Sequence, residues 1–196
     1  MQLLKIGCKS LILAFLLAVA ITTVGYKKPP EYVIDAQRNG AKHNDWGLRY
    51  LSEKCYYAAI QEFKIAISLN PDTQATSTYY NNLGETYMII GYPDYAQDCF
   101  ERAITQYSLN LKYYQNLAKC LKARGLVPLK IKEYSQDGSP LNKVMLGLLY
   151  VENGETRRGV ITLDEFAMSE PDLVITVAVK AYIKELVQQI NSGEQL

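Results

Sequence analysis

Beyond its apolar N-terminus this chain carries one histidine, His43, and three cysteines, Cys55, Cys99 and Cys120. These side chains are the best suited to hold a metal or act as nucleophiles. A zinc site needs cysteines or histidines paired at short spacing. Here the cysteines stand 44 and 21 residues apart, and a single histidine cannot complete a site. No phosphate cradle of the form G-x-x-x-x-G-K-[ST] occurs, and no nucleophile elbow G-x-S-x-G. The carboxylates Glu62, Glu85, Glu101, Glu133 and Glu152 are dispersed and read as solvated helix positions. His43 reads as structural and half-exposed. The cysteines read as small buried hydrophobes with free thiols. No catalytic residue, metal or cofactor is expected, and no small-molecule substrate. With 21 basic and 20 acidic residues, a net charge of +1 and no long run of either sign, a nucleic-acid footprint is absent as well.

The elements that must position these groups are clearer than the groups themselves. Large apolar residues at i, i+3 and i+7, with a small residue at i+4, recur along the chain. Gly47, Gly84, Ala118 and Gly147 occupy that i+4 position, at intervals of 37, 34 and 29 residues. On a helix such residues share one face. A mid-helix glycine costs about 1 kcal/mol against alanine, and its return is close approach of a neighbouring helix. A second pattern follows each first one, small–large–small at i, i+4 and i+7: Ala59, Phe63 and Ala66, then Ala96, Phe100 and Ala103, with Gly159 and Leu163 later. Neither helix buries its apolar face alone, so stacked neighbours must supply the core.

Residues 80–103 read Y-N-N-L-G-E-T-Y, a gap, then A-Q-D-C-F-E-R-A. This resembles the helix–turn–helix signature W-x2-L-G-x2-Y…A-x3-F…P of the tetratricopeptide repeat (TPR) family. The same slots recur as Trp46-Gly47, Tyr50, Ala59, Phe63, Ala66 and Pro71, and as Leu146-Gly147, Tyr150, Gly159, Leu163 and Pro171. The resemblance implies an all-α superhelix of about four hairpins: residues 40–73, 77–110, a degenerate 111–139, and 140–171. A capping helix over 172–191 is expected to close the stack, and a hydrophobic helix in 1–28, joined by a linker at 29–39, to precede it. The third unit departs from the pattern because Pro128 and Lys130 stand where a regular second helix would settle, and Asp137-Gly138-Ser139-Pro140 ends it early. A shortened second helix is predicted there. The repeat-packing residues are Gly47, Tyr50, Ala59, Phe63, Leu83, Gly84, Tyr87, Ala96, Phe100, Gly147 and Tyr150.

In TPR proteins the first helices line a groove that takes an extended peptide or a partner helix. Carried over slot by slot, the groove-facing residues are Asn44, Leu48 and Leu51, then Asn81, Asn82, Glu85 and Met88. Lys112, Gln115, Asn116, Lys119 and Lys122 follow, and then Leu141, Val144, Leu148 and Val151. The amides can both donate and accept hydrogen bonds, and the lysines could meet an acidic ligand. The apolar line of the fourth unit has two readings, an apolar partner or packing on the chain's own C-terminal part. The carboxylate clamp that some family members use on chaperones is rejected, since only Asn82 and Lys112 of its five positions are kept.

Ser10 to Tyr26 is a stretch of 17 residues without a charge, flanked by Lys5 and Lys9 before and Lys27-Lys28-Pro29-Pro30 after. That length lies between a signal-peptide core and a full membrane span. It reads as a single uncleaved N-terminal anchor, the membrane contact being residues 10–26, with the repeats on the extracytoplasmic side. The alternative is a secreted chain cleaved at Ala20 or Gly25. The function expected is a membrane-held protein-interaction scaffold or assembly factor. The alternative is a non-catalytic regulatory accessory of a membrane or cell-envelope enzyme.

Overall fold

A computed structural model describes residues 36–193, with side chains from residue 39. The hydrophobic helix and the membrane contact expected in the N-terminal segment lie outside the described residues. Among the described residues there are only helices and turns, and no helix is long and apolar enough to cross a membrane. In chain order the helices are α1 (Ala36–Ser52), α2 (Tyr56–Leu69), α3 (Gln74–Ile89), α4 (Pro93–Gln106), α5 (Leu111–Ala123), α6 (Val127–Tyr134), α7 (Pro140–Glu152), α8 (Thr156–Ser169) and α9 (Val174–Ser192).

Local chemistry sets these boundaries. Thr73 and Thr76 form a capping box at the start of α3, and the Asn110 side chain accepts from the Lys112 amide at the start of α5. Prolines stand in the first turns of α4, α6 and α7, where a missing N–H costs nothing. Four hairpin turns share one construction. The amides of Cys55, Tyr92, Leu126 and Glu155 donate to the carbonyls of Tyr50, Tyr87, Leu121 and Tyr150 at 2.8–2.9 Å. This Schellman closure needs a left-handed residue just before the donor. Gly91, Gly125 and Gly154 supply it with φ of 83°, 68° and 83°, while in the first hairpin Lys54 adopts it at 61°.

Inside the hairpins the glycines do what their spacing predicts. A Cβ on Gly47 would fall 2.5 Å from Phe63, one on Gly84 2.6 Å from Phe100, and one on Gly147 2.6 Å from Leu163. Each glycine is thus the seat of the large residue sixteen positions on. Phe63, Phe100 and Leu163 are at most 1% exposed, flanked by Ala59, Ala66, Ala96 and Ala103 at 0%. Each buried ring or leucine contributes about 1.5–3 kcal/mol.

The third hairpin does not close in this way. α5 and α6 barely touch, and both pack instead on α7. The cause lies at the slots that hold alanines elsewhere. Lys130 stands where Ala59 and Ala96 sit in the closed hairpins, its ammonium paired with Glu133 at 2.8 Å. Asp137 takes the other small slot. Neither side chain can be sealed between two helices without losing hydration. α6 is accordingly a helix of eight residues, as short as the sequence predicts. The apolar face of α5 is covered from the other side, where Leu117, Ala118 and Leu121 share a cluster with Val144, Met145, Leu148 and Leu149.

α9 has the placement of a fifth first helix. The Thr76 hydroxyl donates to the carbonyl of Asn70, and the Thr176 hydroxyl makes the equivalent bond to Glu170. Eight residues beyond each threonine stand Gly84 and Lys184. Lys184 is exposed, so this last face offers no seat for a following ring. The inner face of α9, with Ile175, Val179 and Leu186 at 1% exposure or less, closes the core against α8, with a smaller contact to α5.

Candidate interaction groove

The first helices bring most of the predicted groove residues onto one side, and their hydrogen bonds show what each does there. The Asn82 amide donates to Asn44 Oδ1 at 2.8 Å, joining α3 to α1. Asn116 Nδ2 donates to Asn81 Oδ1 and to Glu85 Oε1, both at 2.8 Å, joining α5 to α3. Asn81 also donates to Glu85 at 3.2 Å, and Lys112 Nζ pairs with the same carboxylate oxygen at 2.7 Å. Asn44, Asn81 and Asn82 are 9%, 2% and 7% exposed. The sequence places all three residues on the groove as ligand contacts, with Asn81 and Asn82 able to donate and accept. Instead they are buried links between helices, because a polar side chain facing a neighbouring helix must find its partner there.

The remaining positions divide in the same way. Val144, Leu148 and Val151 are buried in the core with α9, which decides the fourth line for packing within the chain. Leu141 is half-buried against that core and Leu51 against Phe63 and its neighbours. Lys122 pairs with Glu152 at 3.1 Å. Leu48 is 42% exposed on α1. Gln115 is half-buried. Lys119 is exposed and has no ion pair among the described residues.

What stays open is a cavity of about 320 Å³ between α3 and α5, lined by Glu85, Met88, Ile89, Phe100, Asn116 and Lys119. Its floor is apolar, with Ile89 55% exposed beside the buried edge of Phe100. Its rim carries one carboxylate, one amide and one free ammonium. Ile89 and Phe100 were not among the groove-facing residues read from the sequence. The signal for Ile89 was its position one helical turn after Glu85. Phe100 reaches the cavity only because Gly84 lets its ring lie across α3.

The repeat-packing residues are buried, with two exceptions. Tyr87 is half-buried. Tyr50 is 36% exposed and lines an open cavity of about 340 Å³ with Trp46, Arg49, Glu53 and Glu62. No second helix precedes α1 among the described residues, so the slot that α2 covers for Leu83 is uncovered at Trp46. His43 is half-buried there, its Nδ1 2.6 Å from Glu62 Oε2 and its ring edge-on to Trp46. Glu62, Glu85 and Glu152 are therefore paired groups, not the solvated positions that the sequence suggests. Cys55 is exposed, against the expectation of burial; Cys99 and Cys120 are buried. Burial pushes the Cys99 thiol up to about 12 and that of Cys120 to about 11. A thiol held protonated in this way is a packing group, not a nucleophile. No group of histidines, cysteines and carboxylates able to hold a metal occurs among the described residues.

Antiparallel helix pairs in which a first-helix glycine seats a large second-helix residue, joined by identical turns and stacked in series, define a helical-hairpin repeat protein. Residues 77–107 match the family model described as Tetratricopeptide repeat. That stretch is a tetratricopeptide repeat, and it holds the Gly84–Phe100 seat, whose counterparts are Gly47–Phe63 in α1–α2 and Gly147–Leu163 in α7–α8. The chain is similar over 145 residues, at 28% identity, to the uncharacterized protein ycf37 of Guillardia theta, covering 65% of this chain and 81% of that one. Among solved structures it is similar to the TPR domain of Arabidopsis OM64 (13% identity, 76% of this chain and 98% of that one, TM-score 0.43). It is also similar to MamA (17% identity, 78% and 88%, TM-score 0.47). Pseudomonas aeruginosa pilF is a further such structure (17% identity, 82% and 68%, TM-score 0.46).

Proposed function

We propose that this chain is a non-catalytic interaction scaffold that captures a peptide or partner helix in the groove between α3 and α5. The observation that carries this reading is the cavity of about 320 Å³ with an apolar floor at Met88, Ile89 and Phe100 and a rim of Glu85, Asn116 and Lys119. An apolar floor with a few oriented polar groups is the usual form of a binding cleft. The floor takes one or two apolar side chains. The Lys119 ammonium, which has no ion pair among the described residues, fixes the direction of the ligand by charge. The amide links hold α1, α3 and α5 at fixed separation, so the groove is formed before a partner arrives, which lowers the ordering cost of binding. In this reading Lys119 and Ile89 are contact residues, while Asn44, Asn81 and Asn82 are positioning residues.

The charge-free run from Ser10 to Tyr26 and its flanking lysines support a further part of the proposal. The scaffold is held at a membrane by that segment, with the repeats on the extracytoplasmic side. Intact mass and N-terminal sequencing of protein from the membrane fraction test this. A mature chain beginning after Ala20 or Gly25 would refute the anchor and favour the secreted form. For the groove, affinity capture with the full chain is compared with capture by an Ile89→Glu, Lys119→Glu double variant. Both residues are exposed, so the variant keeps its fold. Loss of the specific partners is expected, and retention of every one of them refutes the assignment.

A further inference from the structure

A second surface lies on another side of α3, where α2 and α4 flank it. We propose that this channel docks an extended proline-rich segment that carries a carboxylate beside its prolines. Tyr57, Tyr92 and Tyr95 are 72%, 47% and 62% exposed along it. The rings of Tyr92 and Tyr95 continue in series to Tyr87. Tyr95 stacks on Tyr87 at 5.4 Å between centroids with 29° between planes, and Tyr92 meets Tyr95 edge-on at 6.1 Å. Two cavities, of about 350 and 340 Å³, both include Lys64, Tyr87 and Tyr95 in their walls. The Tyr87–Tyr95 stack is therefore a ridge between two adjoining basins.

That form suits a polyproline II helix better than other ligands. Such a helix has three residues per turn and rises about 3.1 Å per residue, so prolines on one edge recur about every 9 Å. Rings on that edge can enter successive basins and straddle the aromatic ridge. Its carbonyls make no internal hydrogen bonds, and the tyrosine hydroxyls and the Lys64 ammonium are donors that can meet them. It is also extended before binding, so little ordering entropy is lost. A partner α-helix has its backbone groups already paired and would leave those donors unused. The charge comes from Lys64, whose ammonium lies 6.0 Å from the Tyr87 ring centre and has no carboxylate partner among the described residues. The neighbouring Arg102 is already held by Asp98 at 2.9 Å. An acidic residue flanking the prolines would complete the pairing that Lys64 lacks.

The test uses the full chain in detergent and a fluorescein-labelled peptide of six prolines flanked by glutamates, read by fluorescence anisotropy. Saturable binding is expected, and at least tenfold weaker binding by Tyr95→Ala. Lys64→Glu should weaken the acidic peptide at least fivefold and favour a version flanked by lysines. Ile89→Glu with Lys119→Glu should leave the affinity unchanged, which separates this surface from the groove between α3 and α5. Tyr95 and Lys64 are exposed, and unchanged circular dichroism melting of both variants shows that folding is not the cause. Three outcomes overturn the proposal. One is equal binding of a glycine–serine peptide with the same flanking glutamates, and another is an affinity that Tyr95→Ala does not change. The third is sedimentation equilibrium showing a dimer that Tyr95→Ala dissociates, which would assign the channel to a second copy of the chain.

Discussion

Replacing Gly84 by alanine sets two opposed energies against each other, and the structure decides between them. Alanine favours the helix over glycine by about 1 kcal/mol. The added Cβ would lie 2.6, 2.9 and 3.0 Å from Cε1, Cδ1 and Cζ of Phe100. That ring is 1% exposed and flanked by Ala96 and Ala103 at 0%, and shifting it toward the cavity between α3 and α5 would cost it that packing. Overpacking of a tight core costs about 1–3 kcal/mol, and three ring atoms at or under contact distance put this case in the upper half. The net expectation is a loss of about 1–2 kcal/mol, which for a domain of this size lowers Tm by about 2–8 °C. Circular dichroism melting at 222 nm reads it directly. The sharper part is the sign. Phe100→Ala should itself cost about 3–5 kcal/mol, but it empties the seat. In that background Gly84→Ala keeps only its helix preference and should raise Tm. A Gly84→Ala variant that is stabilised while Phe100 is present would refute the seat, as would the same sign of effect in both backgrounds.

Lys54→Gly should stabilise the first hairpin. A non-glycine residue in the left-handed region costs about 1–2 kcal/mol, against about 0.4–1 kcal/mol for the added freedom of glycine in the unfolded chain; a rise in Tm checks it, and a fall refutes it. Asn82→Ala should cost about 1–3 kcal/mol in urea unfolding, because Asn44 would be left buried without its donor. Asn44→Ala with Asn82→Ala should then cost less than the sum of the two single changes. Burial raises the thiols of Cys99 and Cys120 to about 12 and 11, and the phenols of Tyr114 and Tyr182 to about 12. The unfolded chain therefore releases these protons at lower pH than the folded one, and stability should decline as pH rises from about 9 to about 12. Unfolding midpoints measured across that window test the direction, and a rise refutes it.

The register of the hairpins was legible because it depends on residues that act within one hairpin. Gly47 and Phe63, or Gly84 and Phe100, are sixteen positions apart, and helical geometry alone makes them meet. The short α6 was legible for the same reason, since Pro128, Lys130 and Asp137 disrupt a local pattern. Partners across helices were not legible. Asn44 and Asn82 are 38 positions apart, and nothing in their types shows that each satisfies the other instead of a ligand. The line Val144, Leu148 and Val151 had two readings because the helices that α7 packs on, α5 and α6 among them, come from separate stretches of chain. Tyr92 and Tyr95 did not stand out among sixteen tyrosines, since a stack on Tyr87 depends on where α4 settles against α3.

Lys184 has a consequence for molecules in a crowd. A protein made of one shape laid on itself has two raw ends, and an end that accepts the next hairpin would also accept the start of another molecule. Head-to-tail contacts of that kind do not close, and they grow into filaments. With a lysine where a ring would seat, and Lys180 one turn before it on the same exposed face, a newcomer laid on α9 could reach the exposed Val177 only by burying charge beside it. Stacking at that face therefore carries a dehydration cost that the seats inside the hairpins do not.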